Sequence, residues 1–137
     1  MSILEAISHE DRFHVKRYAI LPFIISAFER DSKIIEQHFK SPEPYTDFLK
    51  IAIKRANEDF HYAKRHFFER GLKITSQSKT SDGLMTRFKC RGYESEMELR
   101  WEFISAEASI LMRKYLGLDI SIYEDRKGSN EALWNTY

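Results

Sequence analysis

The chain is poor in the residues that simple chemistry depends on. It has one cysteine, Cys90, so no internal disulfide can form. Five glycines in 137 residues leave little means of bringing backbone close to a nucleotide, and no glycine-rich phosphate loop, G-x-S-x-G elbow or paired zinc-ligand motif occurs. The longest apolar run, Tyr18 to Phe28, is too short to cross a bilayer and is interrupted by Pro22. Met1 to Ser8 lacks the basic start and apolar core of a signal peptide. These absences predict a soluble protein of a reducing cytoplasm, with no membrane partner, no catalytic residues, no cofactor and no metal.

What is present is helical periodicity. From Tyr45 to Gly71 the apolar residues Leu49, Ile53, Ala56, Phe60, Ala63 and Phe67 recur in alternating steps of four and three, which puts them on one helix face. Gly71 suits the left-handed position that ends such a helix. Before it, Ser8 with Asp11 resembles a helix start, and His9 to Lys40 reads as a helix with Phe13, Leu21, Ile24, Ile25, Phe28, Ile35 and Phe39 inward. Pro22 inside it predicts a kink or a break, and Pro42 and Pro44 separate it from the next helix.

After Gly71 the period changes to two. Leu72, Ile74, Ser76 and Ser78, then Leu84, Thr86, Phe88 and Cys90, alternate with mostly basic positions across Ser81-Asp82-Gly83, which predicts a β-hairpin over 72–91. Ser95 and Glu98 resemble a capping box for a third helix with the stripe Met97, Trp101, Ile104, Ala108, Leu111 and Tyr115, ending near Gly117. The expected fold is therefore α+β, mostly α: three long helices forming a bundle, with one hairpin between the second and third (α-α-β-β-α). Residues 1–118 form a single domain and 119–137 a partly extended or flexible tail. At this length roughly two thirds of the unfolded surface can be buried, and 14% aromatic residues argue against disorder.

Charge is uneven along the chain. Met1 to Leu49 carries six Lys and Arg against eight Asp and Glu, Lys50 to Arg91 eleven against four, and Gly92 to Tyr137 five against nine. Five basic residues, Lys73, Lys79, Arg87, Lys89 and Arg91, are expected on the outward hairpin face, beside Lys54, Lys64 and Arg65 on the back of the second helix. Such a ribbon could meet phosphates, or its cations could serve only to blunt exposed strand edges. The spacings Asp11 to His14 and Glu58 to His61 put carboxylate and imidazole on one helix face, but a bundle metal site needs further inward carboxylates, so solvated histidines are expected. Cys90 alternates onto the apolar strand face and reads as a core thiol. Trp134 and Tyr137 follow a polar spacer and are candidates for docking a partner. The favoured reading is a small non-enzymatic interaction or regulatory protein working through protein–protein contacts, with a homodimer as a plausible assembly; the alternative is a nucleic-acid-binding accessory protein using the basic hairpin.

Overall fold

A computed structural model describes residues 6–124. The element order is α1 (His9–His38), α2 (Glu43–Arg70), β1 (Leu72–Lys79), β2 (Gly83–Cys90), β3 (Tyr93–Arg100) and α3 (Trp101–Tyr115). The fold is α+β and mostly helical, as the periodicity implied. The single hairpin is corrected to a three-stranded antiparallel sheet in the order β1-β2-β3.

Helix α1 begins where expected. The Ser8 hydroxyl accepts from the Asp11 N–H at 3.0 Å and the Asp11 carboxylate accepts from the Ser8 N–H at 2.9 Å, a reciprocal capping box. Of the kink or break expected at Pro22 the break does not occur, and the helix runs as one element of 30 residues. The proline lies on the exposed side, while Ala19, Ile20, Leu21 and Ile24 around it are fully buried, so packing holds the turn that has lost one hydrogen bond.

Helix α2 returns antiparallel to α1, and the seam can be followed through Phe39 against Tyr45, Tyr18 against Phe60, and His14 against His66. Ala52, Ala56 and Ala63 face that seam fully buried, and small side chains there let the two helices approach closely. Gly71 ends α2 in the left-handed conformation (φ 65°), as the sequence indicated.

The first hairpin turns at Thr80–Gly83, closed by the Thr80 N–H donating to the Gly83 carbonyl at 2.8 Å. The second turn was not anticipated. Arg91 (φ 49°) and Gly92 (φ 88°) both adopt positive φ, the pair of conformations a tight two-residue hairpin requires. The chain therefore folds back at Arg91, and Cys90 pairs with Tyr93. Ser95 and Glu98 lie within β3 and cap no helix; α3 starts at Trp101 and spans only 15 residues. The cause is visible in the sequence: Tyr93, Ser95, Met97 and Leu99 alternate with Glu94, Glu96, Glu98 and Arg100, and this period-two pattern overrides the local capping signature.

The inner sheet face (Leu72, Leu84, Thr86, Phe88, Cys90, Met97 and Leu99) is buried together with the α1 residues Val15, Ile20, Leu21, Ile24 and Phe28 and the α3 residues Ile104, Leu111 and Tyr115. Helix α1 is thus the element that the others enclose, with α2 on one side and the sheet and α3 on the other. Its Lys16, only 2% exposed, sits with Nζ 5.6 and 5.8 Å from the ring centres of Phe13 and Phe103. Residues 121–124 form one helical turn after the buried Ile120, so the start of the expected tail is helical rather than extended. Trp134 and Tyr137 lie outside the described residues.

Candidate functional site

Two stripes of polar residues face each other where the start of α1 meets the end of α2. On α1, Glu10, Asp11, His14 and Arg17 follow helical spacing; on α2, Asp59, Tyr62, His66 and Arg70 do the same. Antiparallel pairing of the helices brings the stripes together over a separation of more than forty residues.

Asp11 is the centre of the deeper half. It is fully buried, yet its carboxylate accepts from Arg70 Nε and Nη2, both at 2.9 Å, and from His66 Nε2 at 2.7 Å, in addition to the Ser8 N–H. Burial alone would raise its pKa, but the Arg70 guanidinium, the Ser8 amide and His66 outweigh that and hold the carboxyl far below the ordinary range. Asp11 in turn raises the pKa of Arg70. The end of β2 and the turn that follows it close the base: Arg91 Nη2 donates to the Ala6 carbonyl at 2.6 Å, and the fully buried Cys90 places Sγ 3.6 Å from the same oxygen.

His14 stacks on His66, ring centres 4.1 Å apart and 27° from parallel. It is 4% exposed, and its Nδ1 has no hydrogen-bond partner. Because the Asp11 carboxylate can only accept, His66 donates from Nε2, and its Nδ1 faces Glu10 Oε1 at 4.0 Å. The donor atoms of Glu10, His14 and His66 all lie within 4.8 Å of one another and could hold a metal ion. The sequence pairs Asp11/His14 and Glu58/His61 pointed elsewhere: Asp11 is committed to Arg70 and His66, and His61 is exposed.

Beside His14 a cleft of about 180 Å³ opens, lined by Phe13, His14, Arg17, Asp59, Tyr62 and Lys114. Arg17 Nη1 is buried without a hydrogen-bond partner. Across the cleft the Tyr115 hydroxyl donates to Asp59 Oδ2 at 2.6 Å, and burial, then Asp59, push its pKa well above the ordinary phenol range. Arg55 Nη1 ties α2 to α3 through the Tyr115 carbonyl at 2.7 Å.

Burial, reinforced by the neighbouring His66 and Arg17, lowers the His14 pKa from 6.5 to about 4. A histidine depressed in the folded state binds its proton more readily when unfolded, so its stabilising contribution is complete above pH 6.5 and is lost as pH falls toward 4. The expected loss is about 3 kcal/mol. Urea unfolding of the wild type and of His14→Gln across that window checks it, since only the wild type should show the slope attributable to this ring.

The eight basic residues singled out in the sequence do not form one open surface of unpaired cations. Arg87 and Lys89 lie on the central strand and approach Glu96 and Glu94 of β3, each at 3.4 Å. A bulge between Ile74 and Ser76 shifts the phase of β1 and turns Lys79 to the inner side, with Nζ 5.5 Å from the Phe23 ring centre. Arg91 reaches back to Ala6, and Lys64 lies 4.4 Å over the Phe60 ring. Lys54, Arg65 and Lys73 are exposed on α2 and β1.

Fold and site together define a small α+β protein in which an antiparallel helical hairpin, backed by a three-stranded sheet and a third helix, seals a charged seam at its base. No helix among the described residues is long and apolar enough to cross a membrane. The chain belongs to the YhjD protein family, which it matches over residues 6–120. No curated protein and no solved structure matches it.

Proposed function

We propose that this chain is a small non-enzymatic interaction or regulatory protein of the cytoplasm, working through protein–protein contacts made by the far end of the α1–α2 hairpin. One observation carries this reading: Ile34, Phe39, Tyr45, Phe48 and Ile51 are all between 47% and 55% exposed and lie in the part of the hairpin most distant from the sheet. Buried positions on α1 stop at Phe28, so beyond it the two helices have only each other to pack against. Large apolar side chains gathered this way and rimmed by charge mark an interaction surface.

The rim carries both signs, with Lys33, Lys40 and Lys50 interspersed among Glu36, Glu43 and Asp47. A two-fold interface must be complementary to itself, and a mixed-charge rim around an apolar centre meets that condition. The reading therefore commits to a second copy of this chain, the two hairpin ends meeting as a four-helix arrangement. Sedimentation velocity across a concentration series should show a dimer for the wild type and a monomer for the Phe48→Glu, Ile51→Glu double variant, with unchanged far-UV circular dichroism. A wild type that stays monomeric at the highest concentration would overturn it.

A further inference from the structure

We propose that Glu10, His14 and His66 form a divalent transition-metal site that joins the start of α1 to the end of α2. Three independent features of the geometry converge. Glu10 and His14 are four apart on α1 and so share a face, and α2 brings His66 to the same point, all three donors within 4.8 Å. The Nδ1 atom of His14 is buried and has no partner, which is costly for a polar atom unless a ligand satisfies it. The Nδ1 of His66 faces Glu10 while its Nε2 donates to Asp11 at 2.7 Å. A carboxylate that holds the far nitrogen of a metal-ligating imidazole fixes its tautomer and orientation, and Asp11, itself held by Arg70, supplies that support.

The donor set names the class of ion. Two imidazole nitrogens with one carboxylate oxygen suit zinc and its neighbours in the first transition row, whereas magnesium and calcium prefer oxygen throughout. Donors in a tetrahedral zinc site lie about 2.1 Å from the ion and so about 3.4 Å from one another. The donors close from separations of at most 4.8 Å, and the exposed Glu10 side chain is free to move toward the two rings. Three protein donors leave one position for water or a ligand atom. Of the three ligands, His14 also lines the neighbouring cleft that contains Arg17 and Asp59.

The site lies at the opposite end of the hairpin from the dimer surface proposed above, and its test is independent. Calorimetric titration of the untagged full chain with zinc chloride should show one ion per chain, and cobalt(II) should give the visible absorption of a four-coordinate site, while magnesium chloride gives no heat. Glu10→Gln should weaken zinc binding at least tenfold while far-UV circular dichroism is unchanged, because Glu10 is exposed. The His14→Ala, His66→Ala pair should abolish it. Should that pair fail to fold, Glu10→Gln still decides the matter: equal zinc affinity for it and the wild type overturns the site, as does a wild type that takes up no zinc.

Discussion

Replacing Asp11 with alanine is expected to remove about 3–5 kcal/mol of stability, read as a lower urea midpoint with an unchanged slope. The residue closes the base of the α1–α2 hairpin with four hydrogen bonds from three partners: a backbone amide, a guanidinium bound through two nitrogens, and an imidazole. Its removal leaves His66 and part of Arg70 without the charge that justified their burial, and it also deletes one half of the Ser8 cap, worth about 1 kcal/mol by itself. Arg70→Met should cost less, because Asp11 would keep the Ser8 and His66 contacts while the exposed part of the arginine loses little. The double variant should fall short of the sum of the two singles, since both act on the same pair. A loss below about 1 kcal/mol for Asp11→Ala would mean that the buried carboxylate only just repays its own desolvation.

The same residue fixes an acid limit. A carboxyl whose pKa is depressed in the folded state stabilises fully above its unfolded value of 3.8 and loses that contribution as pH falls below it. The wild type should therefore weaken in two windows, from 6.5 toward 4 through His14 and below 3.8 through Asp11. Asp11→Ala should flatten the lower one, while the upper one persists, because burial is the main cause of the His14 depression and removing the Asp11 charge only deepens it.

Much of the framework was legible because it is written in short-range signals. The Ser8 and Asp11 cap, the apolar stripe of α2, the left-handed stop at Gly71 and the alternation of the first hairpin each need fewer than thirty residues of context. The third strand was not read because its turn is made by Arg91 at positive φ, a residue that carries no turn signature by itself. Arg91 holds that conformation through two contacts remote in sequence: its N–H donates to the Gly71 carbonyl at 3.1 Å and its guanidinium donates to Ala6. The misplaced Lys79 has a similar origin, since alternation predicts a face only until a bulge intervenes. The charged seam was hidden for a further reason. Asp11 has local roles to hand, as a cap and as the partner of His14 by spacing, and a cation such as Arg70 suits any helix C-terminus, so neither signals the other. The available hint was a row of polar residues, 10, 11, 14 and 17, at helical spacing on a helix that is otherwise apolar inward.

Gly83→Ala is expected to be among the most damaging single-methyl changes in the chain, costing about 3 kcal/mol or more. Conformational freedom is not the reason, since Gly83 is absent from the positive-φ glycines Gly71, Gly92 and Gly117. Space is the reason. Gly83 is buried opposite Arg100, and a Cβ there would run into the Leu99 carbonyl oxygen and lie 2.9 Å from Arg100 Cα. Those are backbone atoms of β3 and cannot swing aside as a flexible side chain would. The strands must separate where β3 passes into α3, and two contacts go with them: the Trp101 N–H to the Asp82 carbonyl at 3.1 Å and Trp101 Nε1 to the Thr80 carbonyl at 2.9 Å. Trp101 emission, measured in a Trp134→Phe background, should shift to the red as the indole loses its edge contact with Phe23. Gly92→Ala is the matched control, with nothing within 4 Å of the added methyl and only the strain of φ 88°, worth about 1 kcal/mol. In a lone two-stranded hairpin Gly83 would sit at an open turn and tolerate alanine, so a cost below about 1 kcal/mol with unshifted emission would refute the third strand as well as the clash.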